Sequence, residues 1–189
     1  MNPASLTGRL LIATPLIGDS HFERSVVLLL SHGSEGAFGL ILNRPTETCV
    51  DEVIPEWADH VTEPAVIYVG GPVGPDAVVA IGRPAAATVD GDASDGFAPL
   101  VGGLGSVDLG SVPGPGERPW SELRLFAGSA GWAPGQLEDE ISEGAWWPVP
   151  AQPGDALGDD PAGLWRRVLR RQPGTTGWFA NCPLNPSAN

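Results

Sequence analysis

Three continuously apolar runs open the chain: Leu10-Leu11-Ile12-Ala13 ahead of Thr14-Pro15, Val26 to Leu30 inside Ser25 to Ser31, and Phe38 to Leu42. Unbroken rather than alternating apolarity predicts strands covered on both faces. The link Ser31-His32-Gly33-Ser34-Glu35-Gly36 is turn-rich and short enough for a hairpin. The third run ends in Asn43-Arg44-Pro45. Pro45 lacks an N–H and biases Arg44 toward extended backbone, so the strand is expected to stop there and present Asn43 and Arg44 at its carboxyl end.

Val50, Val53, Ile54 and Trp57 then share one helical face, with Thr48 and Asp51 spaced as a capping-box variant and Pro55 limiting the helix to a few turns. Val66 to Val69 and Ala77 to Ile81 predict a pair of strands around the loop Gly70-Gly71-Pro72-Val73-Gly74-Pro75. Weaker strand signals follow at Phe97 to Val101 and Leu104 to Leu109, with flexible loops expected around Asp90 to Asp95 and Pro113 to Pro119. Leu123 to Ala127 is a strand. Pro134 opens a helix that turns Leu137 and Ile141 inward and puts Gln136 and Glu140 on another face. Its acids Glu138, Asp139 and Glu140 lie near the N-terminal end, where the helix dipole favours them. Ala145 to Val149 reads as an edge strand. Asp160 caps a final helix begun by Pro161, with Leu164, Trp165, Val168 and Leu169 as its stripe and Gly174 past its end. Residues 175–189 read as an extended tail. Strands outnumber helices and no β-α-β-α rhythm appears, which predicts one α+β domain over residues 1–189.

Composition narrows the function classes. The 189 residues carry 42% hydrophobic positions and seven Trp, enough for a real core despite 26 Gly and 20 Pro. All ten basic residues other than His are Arg, so Schiff-base lysine, Walker-type lysine and Ser–Lys chemistry are excluded. A net charge of −13 repels nucleic acid unless a local patch overrides it. Cys49 and Cys182 lie far apart, and His21, His32 and His60 are spaced unlike a zinc set, so neither metal nor cofactor is expected. The early apolar runs are too short for a leader or a membrane span, so the expected compartment is the cytoplasm, with both thiols reduced.

Four segments together resemble the YqgE/AlgH family: Gly8 to Ala13 with Phe22 and Val26 following, Gly36 to Pro45, Tyr68-Val69-Gly70-Gly71-Pro72-Val73, and Ala130-Gly131-Trp132 with Gly135-Gln136-Leu137-Glu138 and Glu140. Their order and spacing agree from about residue 8 to 149. The resemblance implies a compact single domain whose mixed sheet curls into a partial barrel with a few helices packed outside. It implies no proven activity. One branch of the family carries a transcriptional-regulator label, but this chain has no helix-turn-helix signature and the wrong overall charge for an ordinary duplex binder. Where the family has an aromatic residue, this chain has Ser129. That serine between strand and helix superficially resembles a nucleophile elbow, yet Ala127 stands where that motif needs glycine.

Each candidate site residue has a structural reading beside a functional one. Asn43 and Arg44 can clamp a carboxylate or phosphate, or tie loop carbonyls. Gly70-Gly71 suits a turn lining a cleft or a tight structural turn. Gly131-Trp132 ahead of the helix offers an anion or stacking platform, or a core anchor, with Gln136 beside it. His32 and Glu138 are the weak candidates for acid-base work, with Gln136 and Glu140 beside Glu138 on one helix turn; the structural reading of these acids is a solvated first turn that complements the dipole. Arg166, Arg167, Arg170 and Arg171 read as a partner-docking face or as solvated cations near a helix C-terminus.

The leading expectation is a binding domain, with a regulatory role, for a small anionic ligand or a protein partner in a cleft lined by Asn43, Arg44, Gly70, Gly71 and Trp132. The rivals are a hydrolase or transferase with Arg44 as electrostatic clamp, and a transcription-related regulator acting through the basic helix.

Overall fold

A computed structural model describes residues 5–85, 96–114, 116, 117 and 119–181. The loop expected around Asp90 to Asp95, and Cys182, lie outside the described residues. In chain order the elements are β1 (Arg9–Ala13), β2 (Val26–Gly33), β3 (Gly36–Ile41), β4 (Pro45–Cys49), α1 (Val50–Val53), β5 (Val66–Val69), β6 (Val73–Pro84), β7 (Phe97–Val101), β8 (Leu104–Val107), β9 (Trp120–Trp132), α2 (Gln136–Ser142), β10 (Trp146–Pro150) and α3 (Leu164–Arg170). Two 3-10 segments add to these, Pro55–His60 and Gly174–Asn181.

All ten strands of the described residues join one sheet in the order β10-β1-β2-β3-β9-β6-β8-β7, with β5 on β9 and β4 on β5. Pairing is antiparallel except between β5 and β9. The expected β2–β3 hairpin is present, pairing Val27 with Ile41 and Gly33 with Gly36. Because both faces are covered, the apolar runs are continuous. Leu10, Ile12, Leu28, Leu40, Tyr68, Phe126 and Val149 pack on one face against Leu164, Trp165, Val168 and Leu169 of α3. Leu11, Val27, Leu29, Ile41 and Trp132 pack on the other with Leu137 of α2. A third cluster, around Val50, Trp57, Ile67 and Leu125, covers that second face farther along. Residues of β10 and of β8, near opposite ends of the strand order, meet in the α3-side cluster, so the sheet curls around it. It is not closed into a barrel. The architecture is a single mixed α+β domain.

Four expectations are corrected. The apolar stripe from Val50 to Trp57 forms four residues of α1 and then a 3-10 segment, because Pro55 has no N–H to continue the α-helical ladder and forces Ile54 to φ −139°. Cys49, not Thr48, precedes α1, and it makes no side-chain cap. The chain from 174 to 181 is a 3-10 segment with Ala180 buried and Phe179 packed on Trp147, not an extended tail. Finally, β5 and β6 are not partners. Val69 pairs with Ala127 on one edge of β9 and Val73 with Ser129 on the other, so residues 70–72 cross over β9 between them.

That crossing explains the glycines. A Cβ on Gly70 would lie 2.3 Å from the Gly128 carbonyl oxygen, and one on Gly71 2.2 Å from that of Ser129. Gly70 also stitches its neighbours, donating its N–H to Ala127 and accepting from Ile41 N–H, each at 2.8 Å.

Candidate functional site

β9 runs past its pairing with β6 and ends at Gly131-Trp132, beside β3. Pro134 and Gly135 then turn the chain, Gly135 in the left-handed region at φ 81°, and α2 begins at Gln136. Gln136 secures this start: its side-chain oxygen accepts the Ala133 N–H at 3.0 Å, and its amide donates to Glu140 Oε1, one turn on, at 2.9 Å. β10 returns with Trp146 against the same cluster.

A cavity of about 440 Å³ opens where these elements meet the turn before β2. Phe22, Trp132 and Trp146 form its aromatic wall. Phe22 stacks on Trp132 at 6.1 Å and meets Trp146 edge-on at 5.3 Å, and the two indoles are 5.8 Å apart. Glu140 ties the wall together: its Oε2 accepts the indole N–H of Trp132 at 2.9 Å and that of Trp146 at 2.8 Å. Asp19 and Glu143 complete the polar lining, which among the described residues contains no basic side chain. Backbone and ring hydrogen bonds from His21, both 2.8 Å, hold the Asp19 carboxyl below the usual carboxylate range. The hollow is therefore aromatic and acidic.

The structure brings Gly131, Trp132 and Gln136 together in this lining and leaves Asn43, Arg44, Gly70 and Gly71 out of it. Asn43 instead clasps the turn before β2, donating to the Arg24 carbonyl and accepting from Val26 N–H, both at 2.9 Å. Arg24 has φ 54°, a conformation costly for a side chain with a Cβ, and this two-way amide grip holds it. Arg44 Nη2 donates to the Glu23 carbonyl. Burial pushes the Arg44 pKa down, and Glu23 partly opposes the shift. The polar pair at the strand end is thus a clamp on its own chain. Asn43→Ala is expected to lower stability by about 2 kcal/mol, because the Val26 N–H and Arg24 carbonyl lose their partner. Urea unfolding measures it, and a loss under about 0.5 kcal/mol overturns the assignment.

His32 and Glu138 meet each other. The Leu6 N–H donates to His32 Nδ1 at 3.0 Å, so Nε2 carries the proton and donates to Glu138 Oε1 at 3.1 Å. Both ring nitrogens are engaged in pinning the N-terminal segment and α2, and neither residue lines the cavity. Of the basic helix, Arg167 pairs with Asp160 and Arg171 with Asp155. Ser129 is buried at the β9 crossing. Among the described residues no group of three or more His, Cys, Asp or Glu is arranged to hold a metal ion, and no helix is long and apolar enough to cross a membrane.

The reading from sequence left out Phe22, Trp146, Asp19 and Glu143 as site residues, and weighed Glu140 for acid-base work rather than as an acceptor for the indoles. One signal for Glu140 was available. A buried indole needs an acceptor, and a carboxylate eight residues after Trp132, on the first turns of the helix that follows, is within reach.

Fold and cavity together define a single-domain α+β protein with an aromatic, acid-rimmed hollow where one end of its sheet meets a short helix. The chain belongs to the AlgH-like family, whose model (DUF179) matches residues 10–177. A UPF0301 protein of Streptomyces coelicolor is 48% identical over 98% of this chain and 96% of its own length, and one from Thermobifida fusca is 46% identical over 100% and 98%. Among solved structures, a crystal structure of a Corynebacterium diphtheriae protein superposes with TM-score 0.83 at 38% identity, covering 93% of this chain and 91% of that one. The solution structure of the AlgH protein of Pseudomonas aeruginosa gives 0.65 at 28% identity, covering 97% of each.

Proposed function

We propose that this protein is a binding domain whose aromatic cavity receives a small organic cation, an alkylammonium or guanidinium group. The carrying observation is the pairing of three aromatic rings with Asp19, Glu140 and Glu143 in a lining that has no basic side chain among the described residues. Cations gain from both features: ring faces attract them by about 0.5–2 kcal/mol, and carboxylates add Coulomb attraction. The net charge of −13 raises their local concentration further. A small anion, the ligand expected from Arg44, would meet only carboxylates here, and Arg44 is committed to the Glu23 carbonyl. An acid-base reaction centred on His32 has little support, since both its nitrogens are already bonded.

Trp132 and Trp146 report occupancy directly through their fluorescence. Titration with tetramethylammonium and with methylguanidinium is expected to give saturable changes that weaken as salt is raised. Glu143→Gln combined with Asp19→Asn should weaken binding about tenfold, while acetate and phosphate leave the signal flat. Absence of saturation with both cations, or binding of phosphate in their place, overturns the reading.

A further inference from the structure

A second cavity, of about 210 Å³, lies on the opposite face of the sheet, under residues 151–156. Its floor is made by Leu10, Leu28 and Leu104, members of the α3-side cluster, with Val101 of β7 beside them. We propose that this cavity binds a medium-chain aliphatic carboxylate, with the alkyl chain on the leucine floor and the carboxylate at Arg83. The site is separate from the aromatic cavity and does not depend on the function proposed for it.

The roof is what makes the space a site. Protein interiors close-pack, and a segment free to settle would collapse onto an apolar floor. Here two arginines hold it up. Arg171 grips the Asp155 carboxylate with both terminal nitrogens, at 2.9 and 2.5 Å, while the Asp155 carboxylate also accepts the Gln152 N–H at 2.7 Å. From inside, Arg124, almost wholly buried, donates to the carbonyls of Ala156, Leu157 and Gly158 at 3.3, 3.5 and 2.9 Å. Its guanidinium lies over the Tyr68 ring, 4.4 Å from the centroid. Charged groups held by this many bonds do not yield to the weak inward pull of an unfilled apolar space.

The chemistry of the occupant follows from the lining. Arg83 lies two residues after Ile81 on β6, so both project to the same face, and Ile81 belongs to the α3-side cluster that floors the cavity. Its Nε donates to Glu122 at 2.7 Å and its Nη1 to the Gly102 carbonyl at 3.2 Å, Gly102 itself being part of the lining. Those bonds use two of the five guanidinium donors, and about a third of the side chain is exposed. Asp155, the acid in the lining, is neutralised by Arg171. A cation would therefore meet a guanidinium and, among the described residues of the lining, no uncommitted carboxylate. A singly charged carboxylate meets donors. With roughly 30 Å³ per water-sized group, the space admits a chain of about seven carbons.

The test uses the full chain and heptanoate, followed by calorimetry and by amide resonances of Gly8, Val101 and Ala156. Saturable binding near 1 mM is expected for a ligand of this size. Arg83→Gln should weaken heptanoate about tenfold and leave heptan-1-ol unchanged. Ala156→Leu, which fills the space, should weaken both. Across hexanoate to decanoate the affinity should peak near seven or eight carbons. No saturation below about 20 mM, resonance changes confined to the Trp132 cavity, or equal losses of acid and alcohol in Arg83→Gln would each overturn the proposal. If Arg83→Gln fails to fold, the chain-length series decides: an affinity that rises steadily to decanoate is non-specific partitioning and overturns it.

Discussion

Gly71→Ala is expected to destroy the native state. The crossing of residues 70–72 over β9 brings two backbones into contact, and a methyl at position 71 would sit 2.2 Å from both the carbonyl carbon and oxygen of Ser129 and 2.5 Å from Ala130 N. Those are main-chain atoms of a strand paired on both edges, so no side chain can swing aside. Relief requires breaking β9 away from β3 or β6. The expected loss exceeds about 4 kcal/mol, most of the stability of an ordinary domain. Gly74→Ala is the control. Gly74 also has a positive φ, 58°, but its nearest neighbour would be 3.9 Å away, so only the left-handed backbone penalty of about 1–2 kcal/mol applies. Soluble expression and urea unfolding of both variants separate the effects. A folded Gly71→Ala protein within about 1 kcal/mol of the parent would show that the crossing is not the constraint described.

How much of this was legible in the chain depends on the range of the contacts involved. Leu10 to Ala13, Ser25 to Ser31 and Phe38 to Leu42 were readable as doubly covered strands because burial on both faces writes itself as an unbroken apolar run. β4 was not readable. β3 ends at Ile41 and Pro45 begins the next strand after three intervening residues, where a proline reads as a strand breaker, and Thr46, Glu47 and Thr48 carry no apolar pattern; only pairing with β5 makes them a strand. β9 was seen as Leu123 to Ala127, because Gly128 and Gly131 look like breakers until β3 and β6 are known to flank them.

The candidate site divides the same way. Gly131, Trp132 and Gln136 were found because strand end, turn and helix start are contiguous in sequence. Phe22 and Trp146 come from 110 positions before Trp132 and 14 after it, and nothing local announces that their rings meet. Asn43 and Arg44 were correctly picked out as polar groups at a strand end. Tying loop carbonyls was one of the two readings open to them, and it is the one found; which carbonyls was not readable, because they belong to the backbone of Glu23 to Val26, on the neighbouring strand and the turn before it.

Glu140→Leu is the second variant expected to fail badly, and for an electrostatic reason. One carboxylate oxygen accepts from two indole N–H groups, of which Trp146 is 1% exposed and Trp132 6%, and the other accepts from Gln136. Leucine fills similar volume but offers no acceptor. Two buried donors are then left without partners, each costing about 1–3 kcal/mol, for an expected loss of about 3–5 kcal/mol in total. Glu140→Gln keeps one acceptor for the two indoles and forfeits charge assistance and the exposed bond from Gln136, so a loss of about 1–2 kcal/mol is expected. Unfolding followed by near-ultraviolet dichroism reads both stability and indole packing. The coupling identifies the cause: with Trp132→Phe already in place, one donor is gone, and Glu140→Leu should cost less than in the parent by about 1–2 kcal/mol. Strict additivity in that cycle would mean that the carboxylate matters for some reason other than the indole it holds. Cation binding supplies the link to function. Glu140→Gln removes one of the three carboxylates while keeping the wall in place, so binding should weaken less in it than in Glu140→Leu, where charge and ring geometry go together.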